Sequence, residues 1–172
     1  MEKPKKSQTK EEKAKGGKLV LIRIRGRVHV RQTIEDALKH LNLNTVNSCT
    51  VIDNNPDYKG MVNQVNDYVT WGEIDEATFE KLLKEKGRIA GNKKLDDNYL
   101  AARTKYGSVK EFAQACMKSQ AKFSDVPDLK HMFRLNPPIG GHERKGIKKP
   151  YVLGGALGYR GKEIKEVLER MM

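Results

Sequence analysis

From Leu19 the chain reads LVLIRIRGRVHVR, a run rich in β-branched residues in which apolar and basic positions alternate from Leu21 onward. Period-two alternation predicts a strand with Val20, Ile22 and Ile24 on one face and Leu21, Arg23, Arg25 and Arg27 on the other, one face entering a core and the other presenting Arg. The period then changes. Ile34, Ala37, Leu38 and Leu41 recur at helical spacing behind Thr33, which is placed to cap, with Asp36 three residues on, and a helix is predicted over about 32–42. Val46 to Asp53 reads as a second strand and Asn54-Asn55-Pro56-Asp57 as a turn. Asp57 can cap a second helix bearing Met61, Val62 and Val65, and Tyr68 to Ile74 reads as a third strand.

Strand, helix, strand, helix, strand describes a small α+β layer, one sheet with helices packed on one face and the other face free. A body of that size buries only about 60% of its unfolded surface, so the following segment or a bound partner is expected to supply more packing. After Asp75, Phe79, Leu82 and Leu83 mark a helix ending at Gly87, and shorter helical stretches are expected around 96–103, 108–118 and 127–133. At Arg134 the character changes to RLNPPIGGHERKGIKKPYVLGGALGYRG, too rich in Pro and Gly for a helix, and an extended basic loop is predicted over 134–161. That loop has few apolar residues and is expected to order on its partner. Ile164, Val167, Leu168 and Met171 then form one apolar stripe, predicting a docked terminal helix over 162–172. Residues 1–18 show no apolar period and read as a flexible basic tail. The expected division is therefore a tail over 1–18, a core over 19–75 and an extension over 76–172.

Charge sharpens this picture. The 172 residues carry 34 Lys plus Arg against 22 Asp plus Glu, a net of +12. Residues 1–31 contain 11 basic and 3 acidic side chains, residues 32–133 contain 14 and 15, and residues 134–172 contain 9 and 4. A nearly neutral centre between two basic ends points to a polyanion, with nucleic acid the first candidate. No apolar run approaches the ~18 residues that span a bilayer, and the charged N-terminus has no apolar leader behind it, so neither a membrane protein nor a secreted precursor is expected. Cys49 and Cys116 are too few for a disulfide scaffold and read as two reduced, packed thiols.

The patterns of catalysis do not appear. Gly155, Gly158, Gly161 and Lys162 superficially suggest a phosphate loop, but Ala156 and Glu163 break the required spacing. The histidines His29, His40, His131 and His142 lack metal-ligand spacing, and the acidic pairs Asp75-Glu76 and Asp96-Asp97 sit at helix starts, where the helix dipole accounts for them. No enzyme, cofactor, metal or small-molecule substrate is expected. Binding chemistry remains. Arg23, Arg25, Arg27 and Arg31 recur at or near alternate positions, about 6.6–6.8 Å apart on a strand, a spacing that can meet successive phosphates. Arg134, Arg144, Lys145, Lys148, Lys149 and Arg160 form a second basic set. Gly140, Gly141, Gly146, Gly154 and Gly155 could bring backbone N–H groups close to phosphates, while Tyr151 and Tyr159 could stack on bases or pack inward. RNA is favoured over DNA because no reading helix, zinc finger or zipper is present. A ribosome assembly factor or RNA chaperone would share this composition.

Several stretches resemble one family: Leu21–Gly26, Pro56–Val65, Tyr68–Gly72, Arg134–Gly141, Gly154–Gly161 and the terminal LERMM. Together they span residues 19–172 and are similar to the universal large-subunit ribosomal protein numbered thirty in bacteria and seven in eukaryotes, in its long archaeal form. The resemblance implies a ferredoxin-like βαβαβ core with a mainly helical and extended-loop C-terminal extension that the short bacterial form lacks. It further implies a structural role in the cytoplasm on large-subunit rRNA, near its second domain, with 5S rRNA and neighbouring large-subunit proteins as further partners. The Lys-rich tail resembles a short version of the eukaryotic extension.

Overall fold

A computed structural model describes residues 17–172, so the tail expected over 1–18 lies outside the described residues as far as position 16. Strand β1 (Lys18–Arg23) is followed by α1 (Gln32–His40), β2 (Ser48–Asp53), α2 (Pro56–Val65) and β3 (Val69–Glu73). The later part adds α3 (Glu76–Lys86), α4 (Asp97–Arg103), α5 (Val109–Met117), β4 (Phe133–Arg134), β5 (Gly158–Tyr159) and α6 (Ile164–Met171). The strands lie in the order β4-β2-β1-β3-β5. Both β2 and β3 run antiparallel to β1, so they are parallel to each other, and α2 links them across β1 as a split β-α-β unit. This is the α+β, ferredoxin-like core.

Both faces of the sheet are covered, which corrects the expectation of one free face. Leu19, Leu21 and Val69 pack with Ala37, Leu38 and Leu41 of α1 and its end and with Val62 and Val65 of α2. Val20, Ile22 and Ile24 pack on the opposite side with Phe79, Leu82 and Leu83 of α3, Phe112 and Cys116 of α5, and the Ile164, Val167, Leu168, Met171 stripe of α6. All six residues of β1 are buried. The basic alternation therefore does not produce an Arg face: the partner strands begin at Ser48 and Val69, opposite Arg23, and residues 24–31 continue without a strand to pair with.

The extension also closes the sheet sideways. β4 pairs antiparallel with β2 and β5 pairs parallel with β3, so each edge ends in a two-residue strand. Gly72 in β3 permits the approach of α6: a Cβ there would stand 2.1 Å from the Gly161 carbonyl oxygen and 3.0 Å from Ile164 Cβ.

Local signals were partly overridden. Arg31, not Thr33, occupies the N-cap of α1, and Asn55, followed by Pro56, occupies that of α2 in place of Asp57; neither cap makes a side-chain bond. The helix expected around 127–133 is absent. Asp128 has φ of 63°, and Phe133–Arg134 pairs with the open edge of β2, a long-range gain that spacing alone cannot reveal. Cys49 and Cys116 are both free and buried, and burial pushes the Cys116 thiol up to about 12.

Candidate nucleic-acid interface

Strand register gathers the basic segments. Arg23 stands opposite Val69, Ser48 opposite Arg134, Ile22 opposite both Cys49 and Thr70, and Thr70 opposite Gly158. One end of the sheet therefore carries the 24–31 loop, the exit from β4 and the entry to β5. Segments separated by about a hundred residues of sequence converge there.

Individual side chains divide into two groups. Arg23 is 1% exposed and donates from Nη1 to the Leu43 carbonyl at 2.7 Å, from Nε to that of Arg25 at 2.9 Å and from Nη2 to that of Gly26 at 3.1 Å. Burial, with the nearby Arg27 charge, holds its pKa below the usual guanidinium value. Arg23 thus ties loop carbonyls together and offers little surface to a phosphate. Arg160 is likewise buried, donating to Thr70 Oγ1 at 2.8 Å, Glu143 Oε1 at 2.5 Å and the Ala156 carbonyl at 3.0 Å. The reason is shared: strand pairing buries the backbone around each guanidinium, which then satisfies otherwise unpaired oxygens.

The other cations keep their heads in solvent. Arg25 is half-buried, lying 4.8 Å over the Tyr68 ring and donating to the Asp67 carbonyl at 3.1 Å, and Arg27 is exposed and paired with Glu35 at 2.8 Å. Arg31, Arg134, Arg144, Lys145, Lys148 and Lys149 are exposed and make no ion pair among the described residues. They are the cations free to meet phosphate.

The basic segment is a folded lobe, in contrast to the extended loop expected. Its backbone closes on itself through Lys145 N–H to the Gly154 carbonyl at 3.3 Å, Ala156 N–H to that of Gly146 at 3.1 Å and Leu157 N–H to that of Lys149 at 3.2 Å. Ala156, Leu157, Gly158 and Arg160 are buried. The glycine amides do not form an open anion cradle. Those of Gly141, Gly146, Gly154 and Gly155 donate to Pro138, Glu143, Tyr151 and Pro150 carbonyls, leaving Gly140 as the member of the set without such an acceptor among the described residues. Gly155 is demanded by space, since a Cβ would lie 2.1 Å from the Lys149 carbonyl oxygen.

Three carboxylates that the sequence did not single out position this lobe. Glu143 anchors Arg160; burial opposes its ionisation, but the hydrogen bond and charge of Arg160 outweigh this, so its carboxyl lies below the usual range. The Tyr151 hydroxyl donates to Glu163, and Arg160 lies 4.4 Å over the Tyr151 ring. The Tyr159 hydroxyl donates to Glu73 Oε1 at 2.7 Å while its ring packs at a tilt of 48° against Trp71 with centroids 4.7 Å apart. Both hydroxyls titrate above their ordinary value because of these bonds. Tyr151 is spoken for on its ring and hydroxyl, whereas Tyr159 stays 47% exposed. Each pairing spans from twelve to eighty-six positions, so sequence spacing carries no signal for it.

Comparison with known proteins bears on this basic end. The description "Ribosomal protein L30p/L7e" belongs to a family whose model matches residues 19–69, from β1 to the start of β3. Large ribosomal subunit protein uL30 of Methanopyrus kandleri is 51% identical over 149 residues, covering 87% of this chain and 100% of the relative. Its counterparts from Methanocella arvoryzae and Methanosphaera stadtmanae are 44% and 45% identical over 151 and 152 residues, each across 88% of this chain and 97% or 98% of the relative. The likeness therefore extends well past the matched core, and on that evidence the chain belongs to the ribosomal protein L30p/L7e family.

Proposed function

We propose that this protein is a structural constituent of the large ribosomal subunit that binds and stabilises rRNA through the basic end of its sheet. The observation that carries the reading is the register that brings Arg25, Arg27 and Arg31 together with Arg134 and the Arg144–Lys149 cations at one end. Cations fixed on a rigid scaffold neutralise phosphates of rRNA segments that would otherwise repel, and each released counterion favours binding. The folded core over 19–75 sets the position and the extension over 76–172 presents most of the charge. Membership of the family supports this reading as far as large-subunit rRNA and neighbouring subunit proteins; the proposed site within that rRNA is its second domain, with 5S rRNA as a further partner. The proposed location is the large ribosomal subunit, in the cytoplasm.

The test is a sucrose gradient of native lysate at low salt and again at about 0.5 M, where exposed charges are screened beyond about 4–5 Å. Co-migration with the large subunit at one copy per particle in both is expected. Presence on precursor particles alone, at less than one copy, would overturn the reading in favour of an assembly factor.

A further inference from the structure

The tip of the basic lobe exposes aliphatic side chains that the charged contacts do not use. Val152 is 88%, Leu153 58% and Ile147 38% exposed. Burying such side chains against a partner is favourable, and leaving them in water is a cost with no return inside the protein. The tip is also held rigidly. Leu153 N–H donates to the Pro150 carbonyl at 3.0 Å and Gly154 N–H to that of Tyr151 at 2.7 Å, closing the Tyr151–Leu153 turn. The stem of Lys145 runs along Gly154, where a Cβ would meet Lys145 Cδ at 3.5 Å, so a cation borders the apolar tip directly. A surface fixed before binding loses little entropy on binding.

What covers the tip is decided by its rim. From Arg144 to Lys162 the chain contains no acidic residue, and Lys145, Lys148 and Lys149 lie beside Ile147 and within a few positions of Val152 along the chain. That charge complements a polyanion. Three aliphatic side chains are also far short of a stable protein interface, which needs some 20–30 residues a side. Base stacking at the tip does not fit, because the tyrosine of the tip turn, Tyr151, is covered by Arg160 and bonded to Glu163. The wide, shallow minor groove of an RNA helix does fit, since it presents ribose faces between two rows of phosphates. We infer that Ile147, Val152 and Leu153 form an uncharged contact surface seated on the riboses of an RNA minor groove, whose flanking phosphates are held by Lys145, Lys148 and Lys149. The inference rests on the rRNA-binding reading and adds to it a contribution that does not depend on salt.

The two contributions separate in one experiment. Full-length chain is titrated with protein-free archaeal large-subunit rRNA across a range of salt concentrations, comparing V152S/L153S, the conservative V152I/L153M and K148A/K149A. V152S/L153S should lose about tenfold in affinity at every salt concentration with an unchanged slope of log K against log salt, as removal of apolar contact requires. V152I/L153M should bind like the native chain, and K148A/K149A should flatten the slope by about 0.9 per lost contact. Equal thermal midpoints establish that the tip variants fold. Native affinity in V152S/L153S would overturn the inference, and its loss from assembled subunits despite native RNA affinity would identify a protein occupant instead. A flattened slope in V152S/L153S would also overturn it, showing that the tip merely positions the lysines. An unchanged slope in K148A/K149A would remove the rRNA-binding reading of the lobe itself.

Discussion

Arg160 joins Glu143, Thr70 and the Ala156 carbonyl, so three parts of the chain share one buried guanidinium. Removing it strands Glu143 and two buried oxygens, and Arg160→Leu is expected to cost about 3 kcal/mol in denaturant unfolding. Arg160→Lys should recover little, because an ammonium cannot reproduce the planar fork. Glu143→Gln combined with Arg160→Leu should cost less than the two changes summed, since no unpaired carboxylate remains. Acid should loosen the same site in two stages. His142 has its pKa lowered by burial and by Arg160 and Arg170, with Glu143 opposing, so the fold favours neutral imidazole. The stability this gives is present above the ordinary imidazole value and is lost as pH falls from there toward the folded value. Glu143, also depressed, contributes stability above the ordinary carboxylate value that is lost as pH falls through its lower folded value. Amide exchange of residues 151–157 followed from neutral to acid pH should show both stages, with His142→Asn abolishing the first and Glu143→Gln the second.

Gly72 shows how one position couples two elements. Its missing side chain lets the Gly161 carbonyl and Ile164 close on β3, and α6 then brings Val167, Leu168 and Met171 onto the second face of the sheet. Gly72→Ala forces backbone apart and is expected to cost about 2–3 kcal/mol, read as a lower thermal midpoint. β5 gives a second element-level expectation. The Arg160 amide donates to the Trp71 carbonyl at 2.9 Å, and Thr70 Oγ1 donates to the Gly158 carbonyl at 3.2 Å. Amides at this strand should therefore be protected from exchange without RNA, whereas the exposed 147–149 stretch should exchange fast. Uniformly fast exchange over 156–160 would show that the strand forms only on the partner.

The molecule as a whole is one sheet with two cores, and neither half is complete. A chain ending at Asp75 would bare Val20, Ile22, Ile24, Cys49 and Val51, which α3, α5 and α6 otherwise cover. Such a truncation is expected to lose cooperative unfolding and to aggregate, seen as a broad thermal transition and light scattering. Packing of this kind also explains how charge is delivered: the second core fixes the lobe at the same end of the sheet as Arg25, Arg27 and Arg31.

Periodicity in the sequence determined the strands and helices of the first half, α3, α4, α5 and the buried stripe of α6, because those patterns reflect one element meeting one apolar layer. Charge segregation pointed to a polyanion, and short motifs placed the family. Tertiary structure alone decided the rest. Whether Arg23 and Arg160 face water depends on which strands pair beside them, and the register between distant segments does not appear in local spacing. The burial of the sheet's second face and the folded lobe have the same origin. Each is made by contacts between residues far apart in the chain, where the energy of packing and of satisfying buried polar groups outweighs local preference.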